Sequence, residues 1–185
     1  MEISGEHRIP APRREVWAAL NDPGVLQASI PGCETLNKES DTSYTAGVVS
    51  KIGSIKARFK GKVDFTDIAP PSSYTISGQG QGGMAGSAKG SARVELEECG
   101  PQETLLRYTA NAEVAGKLAT VGSRVIQGVV RKTADDFFCN FVEQVSGVKP
   151  TVAAPAKPTA GVNRLVWAIA AGVVVAAAVI AYMLL

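Results

Sequence analysis

The chain has 185 residues, a formal net charge of +2 and 45% hydrophobic residues, which suits one globular domain with an additional apolar segment. Three of its 19 basic residues lie beyond residue 146, so the first 146 residues hold 16 basic against 17 acidic residues. This balance argues against nucleic acid as a partner. The three cysteines form no CxxC or Cys/His cluster, which is typical of reduced thiols and predicts no bound metal.

The N-terminal part predicts a strand followed by two short helices. Residues 1–9 alternate loosely as in a strand, and Pro12 suits the first turn of a helix. Asp22-Pro23-Gly24 ends that helix, and a second short helix ends at Pro31-Gly32.

Strands dominate the middle of the chain, and a long helix follows them. The clearest strand runs from Ile55 to Thr66, where apolar residues alternate with mostly charged ones. We also expect strands at 43–50 and 104–114, and a hairpin of 74–82 with 87–97. From Leu118 to Val145 apolar residues recur near every fourth position, which indicates an amphipathic helix. Only this helix is long enough to cover the sheet, so residues 1–146 are predicted to form an α+β helix-grip domain.

The C-terminal segment predicts a single membrane anchor over 164–185. Leu165 to Leu185 contain no charge and no proline, and as a helix they would span ~31 Å, close to the thickness of a bilayer core. Trp167 and Tyr182 lie near its two ends, where aromatic rings meet the interface. Arg164 is its first residue and two lysines precede it, so the positive-inside rule places the domain in the cytoplasm, at the cytoplasmic membrane. Residues 147–163 are rich in proline and alanine and are expected to form a linker.

The predicted hairpin has unusually small residues near its tip. Alternation places Gly78, Gly80 and Gly82 on one face of its first arm, and the second arm repeats glycine and alanine. Missing side chains leave room for a hydrophobic ligand, or the long helix packs unusually close, or the tip is merely flexible. Phosphate binding is not expected, because no helix N-terminus follows these glycines.

A ligand cavity would be apolar and aromatic, as small-molecule pockets tend to be. Its predicted lining consists of Trp17, Leu26, Ile30, Phe59, Phe65, Gly80, Met84, Gly90, Tyr108, Val125 and Val129. Each of these residues taken alone also suits an ordinary core. Neither a catalytic triad nor a metal-ligand spacing is evident, and His7, the only histidine, is expected to be a surface or core residue.

One face of the clearest predicted strand is basic. It carries Lys56, Arg58, Lys60 and Lys62. Such a stripe is usually a solvated surface, but beside a membrane it also suits contact with anionic lipid or with a protein partner.

Several segments together carry a family resemblance over about residues 1–146. They are Pro12 with Val16-Trp17 and Leu20, Asp22-Pro23, Ile30-Pro31-Gly32-Cys33, the glycine-rich hairpin, Gly116-Lys117-Leu118-Ala119 with Gly122, and Phe137-Phe138. In this combination the chain resembles the START-like (steroidogenic-acute-regulatory-related, SRPBCC) superfamily, and more closely the G-subunit family of carbon monoxide dehydrogenase. The resemblance implies a START-like fold and a role in recruiting a molybdenum hydroxylase to the membrane, with a bound quinone or lipid. That family has no established catalytic residues to transfer to this chain.

Three function classes follow from these features. The first is a membrane adaptor, not an enzyme, that recruits a molybdenum hydroxylase of the carbon monoxide dehydrogenase type and binds menaquinone, ubiquinone or a lipid. The second is a lipid carrier or sensor without a redox partner. The third is a START-like cyclase or hydrolase, which would need convergent polar groups in the cavity, and only Tyr108 and His7 offer them.

Overall fold

The computed structural model describes residues 2–53 and 55–147. Within these residues seven strands form one antiparallel sheet in the order β1-β7-β6-β5-β4-β3-β2. The strands are β1 (Glu2–Ile9), β2 (Cys33–Ser40), β3 (Ser43–Ile52), β4 (Ile55–Ala69), β5 (Ser73–Gln81), β6 (Ser87–Gly100) and β7 (Glu103–Ala115). Each strand from β2 to β7 pairs with its neighbour in sequence, and β1 closes the row beside β7.

The helices lie at two places in the chain. They are α1 (Arg13–Leu20) and α2 (Pro23–Ser29), between β1 and β2, and α3 (Ser123–Ser146), after β7. The Asp22 carboxylate accepts hydrogen bonds from the backbone N–H groups of Gly24 (2.7 Å) and Val25 (3.0 Å). The Asp22-Pro23-Gly24 segment therefore ends α1 and also starts α2, because a capping aspartate and an early proline both suit a helix N-terminus.

The alternation of β4 determines which face of the sheet is buried. Phe59 and Val63 are buried in the core, whereas Lys60 and Lys62, which lie between them in the sequence, are exposed. The inner face packs against α3, whose buried residues include Ile126, Val130, Ala134, Phe137 and Phe141. This is the START-like arrangement of a curved sheet around a C-terminal helix.

Two elements differ from the sequence prediction. Strand β2 was not predicted, because most of its residues are polar and exposed at the sheet edge and show no alternation. The long helix begins at Ser123 and not at Leu118, because residues Gly116–Val121 form a 3-10 helix and Gly122 has φ +94°. A glycine in this region of φ separates the two helices at little steric cost.

The antiparallel order gives the domain two ends. The tip end comprises the β3–β4 turn (51–56), the β5–β6 tip (82–86) and the segment 116–125 that leads into α3. The base end comprises the β2–β3, β4–β5 and β6–β7 turns together with α1. Helix α2 starts there and leads back to Cys33, which pairs with Val48 in the tip-side half of β3. The C-terminal half of α3 lies toward the base end and beside α2, where the Asn140 side-chain amide donates a hydrogen bond (3.0 Å) to the carbonyl of Ser29.

Candidate functional site

The inner face of the sheet is aromatic toward the base end. Trp17 of α1 meets Tyr74 edge-on, with ring centroids 5.4 Å apart, and Phe65 lies 5.3 Å from Tyr74 and 5.4 Å from Tyr44. The Tyr44 hydroxyl donates a hydrogen bond (3.2 Å) to the carbonyl of Asn21, and burial raises the pKa of Tyr74 above its ordinary value. Edge-on ring contacts stabilise a core beyond the area they bury, so this end is accounted for by packing.

Toward the tip end the same face carries very small side chains. The register places Ala46 opposite Gly61, Gly61 opposite Gly80, and Gly80 opposite Ala88, which defines a small-residue row across β3 to β6. Ala46 and Ala88 are 7% and 6% exposed, and Gly80 is buried. Gly80 and Ala88 lie on the face that alternation along the hairpin predicts, whereas Ala46 and Gly61 belong to the neighbouring strands. The hydrophobic ligand that these small residues suggested stays a prediction.

At three other glycines near the hairpin tip, a neighbouring atom lies too close to leave room for a side chain. A Cβ added at Gly82 would collide with the ring of Phe59, and one added at Gly90 would lie 2.6 Å from the carbonyl oxygen of Asn111 on β7. A Cβ on Gly116 would lie 2.7 Å from the Cα of Gly86. Close packing was the alternative to a cavity, and it explains these three positions without a ligand.

The predicted cavity walls are distributed over both ends of the domain. Trp17, Leu26, Ile30 and Phe65 are partly buried and pack against the core, while Phe59 and Tyr108 are buried in it. Two members need correction, because Met84 is 83% exposed at the hairpin tip and Val125 is 43% exposed. On α3 the buried positions are Ile126 and Val130, one residue after the predicted Val125 and Val129, because the helix starts after Gly122.

Two polar residues lie together on the inner face beside α3. The His7 ring of β1 stacks on Phe138 of α3 with centroids 3.7 Å apart, and it lies 6.2 Å from the ring of Tyr108. The Nε2 atom of His7 is inaccessible and has no hydrogen-bond partner among the described residues. Burial lowers the pKa of His7 from 6.5 to about 4, so the imidazole is neutral at pH 7. Sequence reasoning left this residue undecided between surface and core, and the structure places it against the core.

A groove with a volume of about 1060 Å³ runs across strands β2 to β7, and it is lined by charged and polar side chains together with all four residues of the small-residue row. Its lining includes three of the four residues of the predicted basic stripe, Arg58, Lys60 and Lys62. Acidic neighbours offset much of this charge, because Arg58 pairs with Glu34 (2.9 Å) and Lys62 pairs with Asp64 (3.1 Å). The stripe is therefore part of a mixed-charge surface, and contact with lipid or protein stays a prediction for it.

Comparison with known proteins identifies the family. The sequence model for CoxG, described as the G-subunit of carbon monoxide dehydrogenase, matches residues 5–146. The chain belongs to the CoxG family. The matched range covers every described strand and helix except the first residues of β1, so the family assignment applies to the whole described domain. No curated protein matched the chain in a sequence comparison.

Solved structures support the same fold. A conserved protein from Geobacillus kaustophilus is 30% identical, with a TM-score of 0.75, over 80% of this chain and 96% of that chain. A START superfamily protein from Mycobacterium smegmatis is 15% identical, with a TM-score of 0.59, over 79% of this chain and 97% of that one. The Zhui aromatase/cyclase from Streptomyces sp. R1128 is 15% identical, with a TM-score of 0.56, over 79% of this chain and 93% of that chain. The last two similarities show the fold alone.

For this CoxG family member, the described residues contain no group of three or more His, Cys, Asp or Glu side chains that would suit a metal ion. Residues 2–53 and 55–147 also contain no helix with both the length and the apolar character needed to cross a bilayer. The predicted anchor over 164–185, with Arg164, Trp167 and Tyr182, lies outside the described residues. So does the predicted linker beyond Gly147.

Proposed function

We propose that the protein is a non-enzymatic accessory subunit that recruits a molybdenum hydroxylase of the carbon monoxide dehydrogenase type to the cytoplasmic membrane. It is anchored there by its C-terminal segment, and its START-like domain binds a quinone or lipid that couples the enzyme to the respiratory chain. The single observation that carries this proposal is the CoxG family match over residues 5–146, because that family is described as a subunit of the dehydrogenase.

The hydrophobic ligand is supported by the composition of the inner face. That face is apolar and aromatic, and the small-residue row (Ala46, Gly61, Gly80 and Ala88) reduces the side-chain volume on it. An isoprenoid chain suits such a surface, since each buried CH₂ group contributes about 0.8 kcal/mol. Menaquinone and ubiquinone are the first candidates, because a membrane anchor would keep the domain beside the quinone pool.

Membrane residence is supported by the sequence of the C-terminal segment. Leu165 to Leu185 are uncharged, and the core of the domain ends near Phe141, well before them. Removing Asn163 to Leu185 should therefore leave a folded domain that fractionates with soluble proteins. Recovery of the truncated, folded protein in the membrane pellet would assign membrane binding to the domain itself.

Recruitment is tested by deleting the gene and following the dehydrogenase. The proposal predicts that the enzyme moves from the membrane fraction to the cytosol and keeps its activity with an artificial dye as electron acceptor. If the dehydrogenase stays in the membrane fraction after the deletion, recruitment by this protein is contradicted. Loss of the dye-linked activity would indicate a role in enzyme maturation or catalysis.

A lipid carrier without a redox partner is the second candidate, and the fold similarity to a START superfamily protein favours it. Neighbouring genes that encode molybdenum-hydroxylase subunits would favour the adaptor, and their absence would favour the carrier. A cyclase is the third, suggested by the similarity to the Zhui aromatase/cyclase. His7 and Tyr108 would be its polar groups, although the pKa of about 4 makes His7 a weak base.

A further inference from the structure

Exposed apolar side chains are concentrated at the tip end. Among the described residues three large hydrophobic side chains are exposed, and two of them, Met84 (83% exposed) and Val125 (43%), lie in the tip-end segments. The third, Ile68 (41%), lies at the base end. Met84 stands on the 3-10 helix Gly83–Ala85 that forms the hairpin tip, so it projects beyond the sheet.

The three tip-end segments also carry an excess of positive charge. The segments 51–56, 82–86 and 116–125 contain no aspartate or glutamate and four exposed cations, which are Lys51, Lys56, Lys117 and Arg124. In the part of the chain that the structure describes, no ion pair involves any of these four. On the rest of the sheet, by contrast, cations such as Lys89 and Arg93 have carboxylate partners.

Two of these cations face each other directly. Lys51 of β3 and Lys56 of β4 are register partners, and like charges at directly opposed positions destabilise a strand pair. At a comparable position elsewhere in the sheet the two opposed residues have opposite charges. Lys89 lies opposite Glu113, with its Nζ atom 3.0 Å from the Glu113 carboxylate. An anionic surface over the tip end would relieve the repulsion between the two lysines.

The three segments form one continuous surface. The space beside Gly53 in the β3–β4 turn is bounded by the Cγ1 atoms of Val121 (3.5 Å from an added Cβ) and Val125 (4.0 Å). The hairpin tip meets the third segment through the close approach of Gly86 and Gly116. Cations and apolar side chains from separate parts of the sequence therefore lie at the same end of the domain.

We propose that the tip end docks on an anionic lipid bilayer, with the four cations at the headgroup phosphates and with Met84 and Val125 in the interfacial layer. Basic groups near such a surface are attracted to it, and adjacent apolar side chains add burial. The exposed Met84 side chain at the hairpin tip suits burial in the interfacial layer of a bilayer. The proposal deepens the proposed function and rests on its membrane residence, because it names the surface that meets the bilayer.

The test uses the full-length chain reconstituted in nanodiscs of phosphatidylglycerol with phosphatidylethanolamine, or of phosphatidylcholine alone. Hydrogen exchange is followed in peptides from the tip end and, for comparison, from the β6–β7 turn at the base end. We expect slower exchange at 51–56, 82–86 and 116–125 in the anionic discs than in the zwitterionic discs. Exchange in the β6–β7 turn should be the same in both.

Matched variants separate this surface from general charge effects. Lys117→Gln with Arg124→Gln should remove the slowing at the tip end, whereas Lys38→Gln with Lys89→Gln, outside the tip-end segments, should leave it unchanged. Met84→Ser should weaken the slowing, and Ile68→Ser at the base end should not. The thermal midpoint of each variant controls for unfolding, since all six side chains are exposed.

The affinity of the tip end for anionic lipid can be measured with the isolated domain. The Geobacillus kaustophilus relative is covered over 96% of its chain by this unit, which supports folding of residues 1–147 alone. Its partition onto anionic vesicles should fall by about fivefold for each tip-end cation removed, and should be lost in high salt.

The outcomes distinguish this inference from the proposed function. Failure of the full chain to remain with the discs would overturn both. Stable reconstitution with equal exchange in the two lipid mixtures, or slowing at the base end only, would overturn the docking surface and leave the anchor. Slowing that requires added dehydrogenase and is absent with lipid alone would assign the tip end to a protein partner and would also overturn the proposal.

Discussion

The base end and the tip end of the domain are built from the same strands but differ in side-chain size and in charge. At the base end Trp17, Tyr44, Phe65 and Tyr74 form a chain of ring contacts, and surface charges pair, as Lys38 does with Asp41 at 2.8 Å. Toward the tip end the inner face carries the small-residue row beside Phe59, and the exposed cations have no acidic residue in the same segments. The difference indicates that the base end holds the fold together, while the tip end is where ligand and membrane contact are expected.

The largest expected effect is a loss of core packing at the base end. Phe141→Ala removes a fully buried ring that stacks on Phe137 with centroids 5.5 Å apart. We expect the free energy of unfolding to fall by about 3–5 kcal/mol, as for other buried phenylalanines. Urea denaturation measures it. A loss below about 1 kcal/mol would mean that the aromatic contacts at this end are not what holds the domain together.

Acid should destabilise the domain through His7. Its folded pKa of about 4 lies below the unfolded value of 6.5, so the unfolded chain binds a proton more readily, and stability falls as the pH is lowered from about 6.5 to about 4. The loss amounts to at most about 3 kcal/mol. Chemical denaturation of the wild type and of His7→Leu across this range isolates the effect, because the carboxylates titrate in both. Parallel stability curves would contradict the burial of His7.

The same glycine-to-alanine change should have opposite effects on stability at two positions. At Gly82 the new methyl group meets the ring of Phe59, so we expect a loss of about 1–3 kcal/mol from overpacking. At Gly128, exposed on α3 with no atom within 4 Å of an added Cβ, the change should stabilise the helix by about 0.5–1 kcal/mol. Equal effects at the two positions would show that the hairpin glycines are not close-approach sites.

The smallest effect is expected at the tip-end surface. Met84→Ser and Lys117→Gln should each change the free energy of unfolding by no more than about 0.5 kcal/mol, because both side chains are exposed and lack partners in the described structure. Thermal denaturation is sufficient to check this. A large loss at either position would make the tip end part of the folding core and would remove the contrast between the two ends.

The sequence was sufficient for most of the fold because alternation and helical periodicity follow from which face of an element is buried. The regular pattern of Ile55 to Thr66 identified β4 and its inner face, whereas β2, at the sheet edge, has little to bury and gave no pattern. The phase of α3 was off by one residue in its first half, because periodicity alone did not place the break at Gly122.

The candidate site was harder to predict because it depends on neighbours that are distant in sequence. The absence of a side chain at Gly90 is explained by the carbonyl of Asn111 on the adjacent strand, and that at Gly82 by Phe59. Composition alone gives the same signal for such glycines as for Gly80, which lies in the small-residue row. Met84 was assigned to the cavity as an apolar residue, but its place on the hairpin tip exposes it.

The central claim is that the inner face near the small-residue row holds a hydrophobic ligand, and organic extraction of the purified full-length protein followed by mass spectrometry tests it most directly. We expect recovery of a quinone or lipid, and a thermal midpoint that rises when menaquinone is added. Gly80→Phe should abolish both while the domain stays folded, and Gly100→Phe, with no atom within 4 Å of an added Cβ, should retain both. Recovery of neither quinone nor lipid, with a thermal midpoint unchanged by added menaquinone or ubiquinone, would contradict the claim and leave close packing as the explanation of the small residues.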